Sequence, residues 1–196
     1  MRLRRFLTNL LLCFFLSTIA LVVLFKFVPV PFTPLMLIRQ VEARLEGRHL
    51  KIQYEWVPIE EISPELIAAI IDKEDALFYE HSGFDWAAIR CAYLRNQRAG
   101  RIIRGGSTIS QQTAKNIFCT PSRTYIRKAF EAYFTVLIEF IWGKERIMEV
   151  YLNSIEMGDG IFGAEAAADY YFSTSAAGLN RYDANYIAAR LPDPRR

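Results

Sequence analysis

Two stretches of the chain carry side chains able to do acid–base and anion chemistry. Glu74-Asp75-Ala76-Leu77-Phe78-Tyr79-Glu80-His81-Ser82-Gly83 sets three carboxylates and an imidazole among aromatic rings, which offers a proton acceptor. Gly105-Gly106-Ser107-Thr108-Ile109-Ser110-Gln111-Gln112-Thr113-Ala114-Lys115-Asn116 sets a glycine turn ahead of hydroxyls, amides and a lysine. A helix start preceded by glycines exposes unpaired amide N–H groups and a positive dipole end, which suits a phosphate or diphosphate. Ser107, Thr108, Gln111, Gln112, Lys115 and Asn116 would add side-chain donors there. An ordinary capped turn has the same composition, Glu74 and Asp75 equally fit a solvated acidic pair, and His81 fits a structural hydrogen-bonding role.

A third group follows on what reads as a long helix. Arg127 and Glu131 stand four apart and Lys128 and Glu131 three apart, so all three share one face. On the surface such pairs contribute only about 0.3–0.5 kcal/mol. The neighbours Phe130, Phe134, Val136, Leu137, Ile138, Phe140 and Ile141 make the helix apolar around much of its circumference, so it should be buried or face lipid. Buried charges need a partner or a job. Two carboxylates, Glu74 and Glu131, with a cationic anion site between them suit glycosyl transfer: one accepts the acceptor's proton while the cations stabilise a departing diphosphate.

The elements that must position these groups are mainly helical. Ser63 as N-cap and Pro64 at the first helical position open a helix that runs into Glu74. Asp85 caps the next, with Trp86, Ile89, Tyr93 and Leu94 turned toward a core. Thr108 and Gln111 have capping-box spacing, so a third helix begins just after the glycines, and Pro121 lies past its end. Helices are expected from about 124 to 142, 144 to 153, 164 to 171 and 183 to 190, with a loop at 158–163. Lys51 to Val57 alone has strand character. The expected fold class is a mainly α domain.

Arg2, Arg4 and Arg5 precede Phe6 to Phe25, a run of 20 residues without a charge. At about 1.5 Å per residue it spans the roughly 30 Å hydrocarbon core. A cleaved signal peptide is the alternative, but its apolar region is about 7–15 residues long and ends in small residues, which Leu21 to Phe25 do not supply. The N-terminal arginines favour a cytoplasmic start, with the remaining chain outside. The expected organisation is a cytoplasmic tail 1–5, a transmembrane anchor 6–28, a linker 29–62 and one domain 63–196.

Of 24 basic residues four flank or precede the apolar run, leaving 20 against 21 acidic ones, so the rest of the chain is not basic overall. Its charge is segregated. Arg95, Arg98, Arg101, Arg104, Lys115, Arg123, Arg127 and Lys128 fall in a stretch with no acidic residue, which favours an anionic partner. Lipid headgroups account for Arg95, Arg98 and Arg101 equally well, and outward orientation disfavours nucleic acid. Cys13, Cys91 and Cys119 show no disulfide spacing and read as buried free thiols. His49 and His81, the two histidines, stand in no metal-ligand spacing.

From about Ser63 to Pro194 the chain resembles the monofunctional peptidoglycan glycosyltransferases, glycosyltransferase family 51, also the N-terminal domain of class A penicillin-binding proteins. The resemblance rests on Glu74-Asp75-x-x-Phe78-x-x-His81-x-Gly83, Gly106-x-Thr108-x-x-Gln111-Gln112 with Lys115-Asn116, Arg127-Lys128-x-x-Glu131, and Lys144-x-x-Ile147-x-x-x-Tyr151-Leu152-Asn153. It implies a lysozyme-like helical fold that polymerises lipid II, a disaccharide-peptide on undecaprenyl diphosphate, into β-1,4 glycan with inversion. Glu74 would be the base for the acceptor 4-hydroxyl and Glu131 the second carboxylate. Lys115, Arg123, Arg127 and Lys128 would neutralise the diphosphate. Arg104, Ser107, Thr108, Gln111, Gln112, Asn116 and Asn153 would join the substrate-binding set, and Asp75, Phe78 and His81 would shape the site. The family often responds to a divalent cation, Mg or Mn, although no ligand cluster is legible. Implied partners are lipid II, the growing glycan strand, the bilayer and other cell-wall synthesis or division proteins. The implied place is the bacterial inner membrane, with the catalytic domain outside the cytoplasm. Family members usually continue for some tens of residues beyond the Leu-Pro-x-Pro stretch, whereas this chain stops at Arg196. A lytic glycan hydrolase and a non-catalytic, membrane-anchored assembly partner stand as alternatives.

Overall fold

The computed structural model describes residues 2–101, 105–122 and 124–195. The helices are α1 (Arg2–Phe27), α2 (Pro34–Leu45), α3 (Pro64–Glu74), α4 (Trp86–Ala99), α5 (Ile109–Phe118), α6 (Tyr125–Ile141), α7 (Lys144–Ser154), α8 (Ala164–Phe172) and α9 (Arg181–Arg190). Three short strands, β1 (Gln53–Tyr54), β2 (Glu156–Gly158) and β3 (Ile161–Phe162), make a sheet ordered β1-β3-β2, with β1 parallel and β2 antiparallel to β3.

The helix starts follow the capping residues. Ser63 accepts from Glu65 N–H ahead of α3, Asp85 from Ala88 N–H ahead of α4, and Thr124 from Arg127 N–H ahead of α6. Thr108 and Gln111 form the reciprocal capping box that opens α5. Helix α5 is the axis of the domain. It packs between α6 and α7, burying Ile109, Ala114 and Ile117 against Phe134 and Ile138 of α6 and Ile147, Tyr151 and Leu152 of α7. Helices α3 and α9 pack together through Leu66, Ile70, Ala184 and Ile187.

By length and composition α1 could cross a membrane. Its second half lies along α6: Phe14 meets the Phe130 ring, Thr18 Oγ1 and Tyr133 Oη are 2.9 Å apart, Trp142 Nε1 donates to Val22 O at 2.7 Å, and Lys26 Nζ donates to Ile141 O at 2.6 Å. Residue numbers rise together on both helices, so the two run parallel.

Several expectations are corrected. Lys51–Val57 is strand only at Gln53–Tyr54, because Val57 pairs instead with a side chain, and the expected loop at 158–163 holds β3 and the last residue of β2. Trp86 and Tyr93 are 72% and 64% exposed, and no residue of α4 is buried, since no described element covers that face. Cys13 and Cys91 are exposed, whereas Cys119 is buried as expected. The segment 29–62 contains α2, whose N-cap Thr33 accepts from Met36 N–H and which packs near α5.

Candidate active site

Helix α3 ends at Glu74, which puts its carboxylate at the rim of an open cleft of about 830 Å³ lined also by Asp72, Lys73, Gly105, Ser107, Gln112, Lys115 and Pro192. A second hollow of about 360 Å³ shares Glu74 and runs toward α4 past Cys91 and Arg95. Gln112 Nε2 donates to Glu74 Oε2 at 2.8 Å, and Gln112 Oε1 accepts from Tyr151 Oη at 3.4 Å. Burial, with Glu74 and Asp75 adding to it, pushes the Tyr151 phenol well above its ordinary value, so it remains a donor. Glu74 Oε1 has no hydrogen-bond partner among the described residues.

Asp75 does a different job. Only 7% exposed, it accepts from His81 Nε2 at 2.9 and 3.0 Å and from the backbone N–H of Ile109, the first residue of α5, at 2.9 Å. Gly83 N–H donates to His81 Nδ1 at 3.2 Å, which places the imidazole hydrogen on Nε2, facing Asp75. Thr108 Oγ1 closes the ring by donating to Gly83 O at 2.7 Å. The first two motifs are thus one hydrogen-bonded clasp. Gly83 has φ +91° and faces Thr135 and Glu139, and a Cβ on Gly106 would fall 2.9 Å from the Ile89 backbone, so both positions need glycine.

Beyond the cleft floor, Glu131 is 2% exposed and accepts from Arg127 Nη1 and Lys128 Nζ, while Lys128 also reaches Ser107 Oγ at 3.4 Å. Lys115 lies between the two glutamates. Burial lowers its pKa below the ordinary 10.5; Glu131 and Glu74 oppose the shift, whereas Arg127 and Lys128 reinforce it. Its ammonium makes no hydrogen bond or ion pair with a described residue. A mostly buried, unpaired ammonium at the edge of a cleft is an anion receptor in waiting.

Glu74, Ser107, Gln112 and Lys115 line the cleft and Asp75 and Thr108 the adjoining hollow, while Lys128 reaches Ser107 and, with Arg127, holds Glu131. Phe78 and His81 lie behind the cleft: Phe78 is fully buried, with Lys144 Nζ 4.5 Å from its ring centroid. Gln111 is occupied as the α5 cap, and Asn116 is buried on the same helix. Asn153 is not brought to the cleft. Its side chain is fully buried, accepts from Val57 N–H at 3.0 Å, and donates to Val57 O and Glu149 O, both at 2.9 Å, standing in for a strand partner. Arg104 and Arg123 lie outside the described residues. Sequence reasoning missed Glu139, which accepts from Ser110 and from Lys144 at 2.7 Å behind the clasp. A polar stripe on an otherwise apolar helix, Glu131, Thr135 and Glu139 at intervals of four, was its signal.

A helical domain with an available carboxylate beside a cationic cleft has the means for glycosyl transfer from a diphosphate. The family model described as Transglycosylase matches residues 42–196. The chain is 55% identical over 195 residues to a biosynthetic peptidoglycan transglycosylase of Caulobacter vibrioides, covering 97% of this chain and 82% of the relative. Proteins of the same name match at 52% identity in Bdellovibrio bacteriovorus, over 99% of this chain and 77% of the relative, and at 52% in Bacteroides thetaiotaomicron, over 97% and 76%. The chain belongs to the transglycosylase family, glycosyltransferase family 51.

Proposed function

We propose that this chain is a membrane-anchored peptidoglycan glycan polymerase, transferring a lipid-diphosphate-linked glycan chain onto the 4-hydroxyl of lipid II. Glu74 takes the hydroxyl proton on Oε1 while Gln112 holds Oε2. The freed oxygen attacks the donor's anomeric carbon from the face opposite the diphosphate, the carbon–oxygen bond to the diphosphate breaks, and the new β-1,4 linkage has inverted configuration. Lys115, Arg127 and Lys128 take up the charge that develops on the leaving group, and Ser107 and Asn116 help to seat it. Glu131 orients Arg127 and Lys128 and is not free to act as a second base, because both its oxygens already accept from cations.

The observation that carries this reading is the largely buried Lys115, whose ammonium has no partner among the described residues, in one cleft with Glu74 and within the field of Glu131. Helix α1 is read as a single anchor in the cytoplasmic membrane, with the arginine-bearing end inside and the domain outside. No group of three or more metal-ligating side chains occurs among the described residues, and the floor of the cleft carries cations, so these residues do not fit a resident divalent ion and no step runs through one.

Incubating the full chain in detergent with labelled lipid II tests the reading. Wild type is expected to make long glycan ladders, and Glu74→Gln to bind lipid II and melt like wild type but make none. Ladder formation by Glu74→Gln above a tenth of the wild-type rate would reject Glu74 as the base. Short sugars released from finished wall would indicate a hydrolase instead.

A further inference from the structure

Tyr151 is a fully buried polar side chain that the reaction chemistry above does not use. It belongs to α7, and its hydroxyl has one acceptor among the described residues, Gln112 Oε1 on α5 at 3.4 Å. The other end of the same amide donates to Glu74 Oε2 at 2.8 Å. We propose that Tyr151 is a positioning residue for the transfer: its hydroxyl fixes which way the Gln112 amide faces, so that Gln112 offers Glu74 a hydrogen and leaves Glu74 Oε1 to take the proton.

The inference rests on the polymerase reading for the role of Glu74 and on the hydrogen-bond pattern for the role of Tyr151. A side-chain amide can be turned either way about its last bond, and its two ends differ in whether they donate or accept. Turned over, Gln112 would set Oε1 against Glu74 Oε2, two acceptors at hydrogen-bond distance, and would point its NH2 group at the phenol. The phenol hydrogen would then be buried without an acceptor, which is destabilising. Only the observed orientation satisfies Glu74, Gln112 and Tyr151 together.

The phenol is suited to this task because it keeps its hydrogen and its place. Burial, with the fields of Glu74 and Asp75 adding to it, holds it neutral. Tyr151 is enclosed where α7 packs on α5, and Ile147, Met148 and Leu152 of the same helix are fully buried beside it. Gln112 is different. It is half-buried, it lines the cleft, and its long side chain would turn freely without a fixed donor behind it. Tyr151 itself is not part of the cleft wall, so it acts on the reaction through Gln112 and not by touching substrate.

Tyr151→Phe removes the hydroxyl and keeps the ring. With labelled lipid II and the full chain in detergent, kcat is expected to fall about tenfold, a part of the roughly 100-fold or more that a positioned base contributes, while KM stays within about twofold. In a Gln112→Ala background the same substitution should change kcat by less than about twofold, because the side chain through which Tyr151 acts is already gone. A second readout needs no turnover. In NMR spectra of the full chain labelled at its glutamine side chains, the amide signal that Gln112→Ala removes reports Gln112. Its hydrogens should exchange with water about tenfold faster in Tyr151→Phe.

Unchanged kcat in a folded Tyr151→Phe, a raised KM with kcat kept, unaltered amide exchange, or effects of the two substitutions that multiply would overturn the inference. If Tyr151→Phe fails to fold, Tyr151→Met, which keeps apolar bulk without a hydroxyl, is judged by the same criteria. A wild-type chain that makes no polymer, but whose Gln112 amide exchanges faster once the hydroxyl is lost, would sink the polymerase reading and leave the Tyr151–Gln112 lock standing. Polymer made by Tyr151→Phe at the wild-type kcat would do the reverse.

Discussion

Asp75→Asn separates the clasp from the chemistry beside it. The Asp75 carboxylate accepts from two donors that approach from different elements, His81 Nε2 and the Ile109 N–H that begins α5. An asparagine has one accepting oxygen, so its NH2 group must face one of those donors. If it faces Ile109, a buried amide is left unsatisfied at a cost of about 1–3 kcal/mol. Moving the imidazole hydrogen to Nδ1 does not help, because Gly83 N–H already donates there. Loss of the negative charge at the α5 N-terminus adds about 0.3–1 kcal/mol. The sum is about 1.3–4 kcal/mol. For a chain of this size each kcal/mol lowers Tm by roughly 2–4 °C, so the expected drop is about 3–16 °C.

The comparison is with Glu74→Gln, one residue away. Glu74 is half-buried and accepts a single hydrogen bond, from Gln112, which a glutamine oxygen can still accept. That variant should melt within about 2 °C of wild type, since surface-like changes stay near 0.5 kcal/mol. Thermal unfolding followed by circular dichroism in one detergent reads both. Equal melting temperatures for wild type and Asp75→Asn would refute the clasp, whatever the activities.

Lys115→Met removes a cation that burial destabilises. The folded chain holds fewer protons than the unfolded chain between the lowered Lys115 value and the ordinary 10.5, so wild-type stability rises with pH across that window. The methionine variant should therefore melt higher than wild type below the window, converge with it as pH nears 10.5, and bind lipid diphosphate at least tenfold more weakly; a lower Tm at neutral pH would contradict the origin assigned to the shift. Asn153→Ala strands Val57 N–H and C=O, and should cost about 2–4 kcal/mol in a denaturant titration while leaving KM for lipid II unchanged in the folded fraction. A raised KM would return Asn153 to the substrate-binding set.

Much of this arrangement was legible in the sequence where the cause is local. Ser63-Pro64, Asp85 and the Thr108–Gln111 pair each cap the helix that their types and spacing announce. The Arg127–Lys128–Glu131 triad was legible for the same reason, since helical geometry alone brings the three together. Non-local pairings were not. The hairpin of β2 and β3 is too short to show alternation and looks like a glycine loop. Asp75 meets Ile109 across thirty-four residues, and Asn153 meets Val57 across ninety-six, with nothing in either neighbourhood to name the partner. Trp86 and Tyr93 misled because aromatic residues on a helix imply a core only when another element covers them.

The charge at the cleft explains why Glu131 is buried between two cations instead of standing free. Lys115, Arg127 and Lys128 bring three positive charges and Glu131 one negative, a net of +2 for this cluster. A diphosphate diester brings one negative charge on each phosphate, so the proposed leaving group would balance the cluster. Without Glu131 the three cations would repel one another over short distances in a medium of low dielectric, where such repulsion is several times its value in water. With it, Arg127 and Lys128 are held in place and Lys115 is left as the charge that pays most for its burial, and gains most when an anion arrives. In the proposed reaction that asymmetry would put the binding energy on Lys115, which lines the same cleft as Glu74.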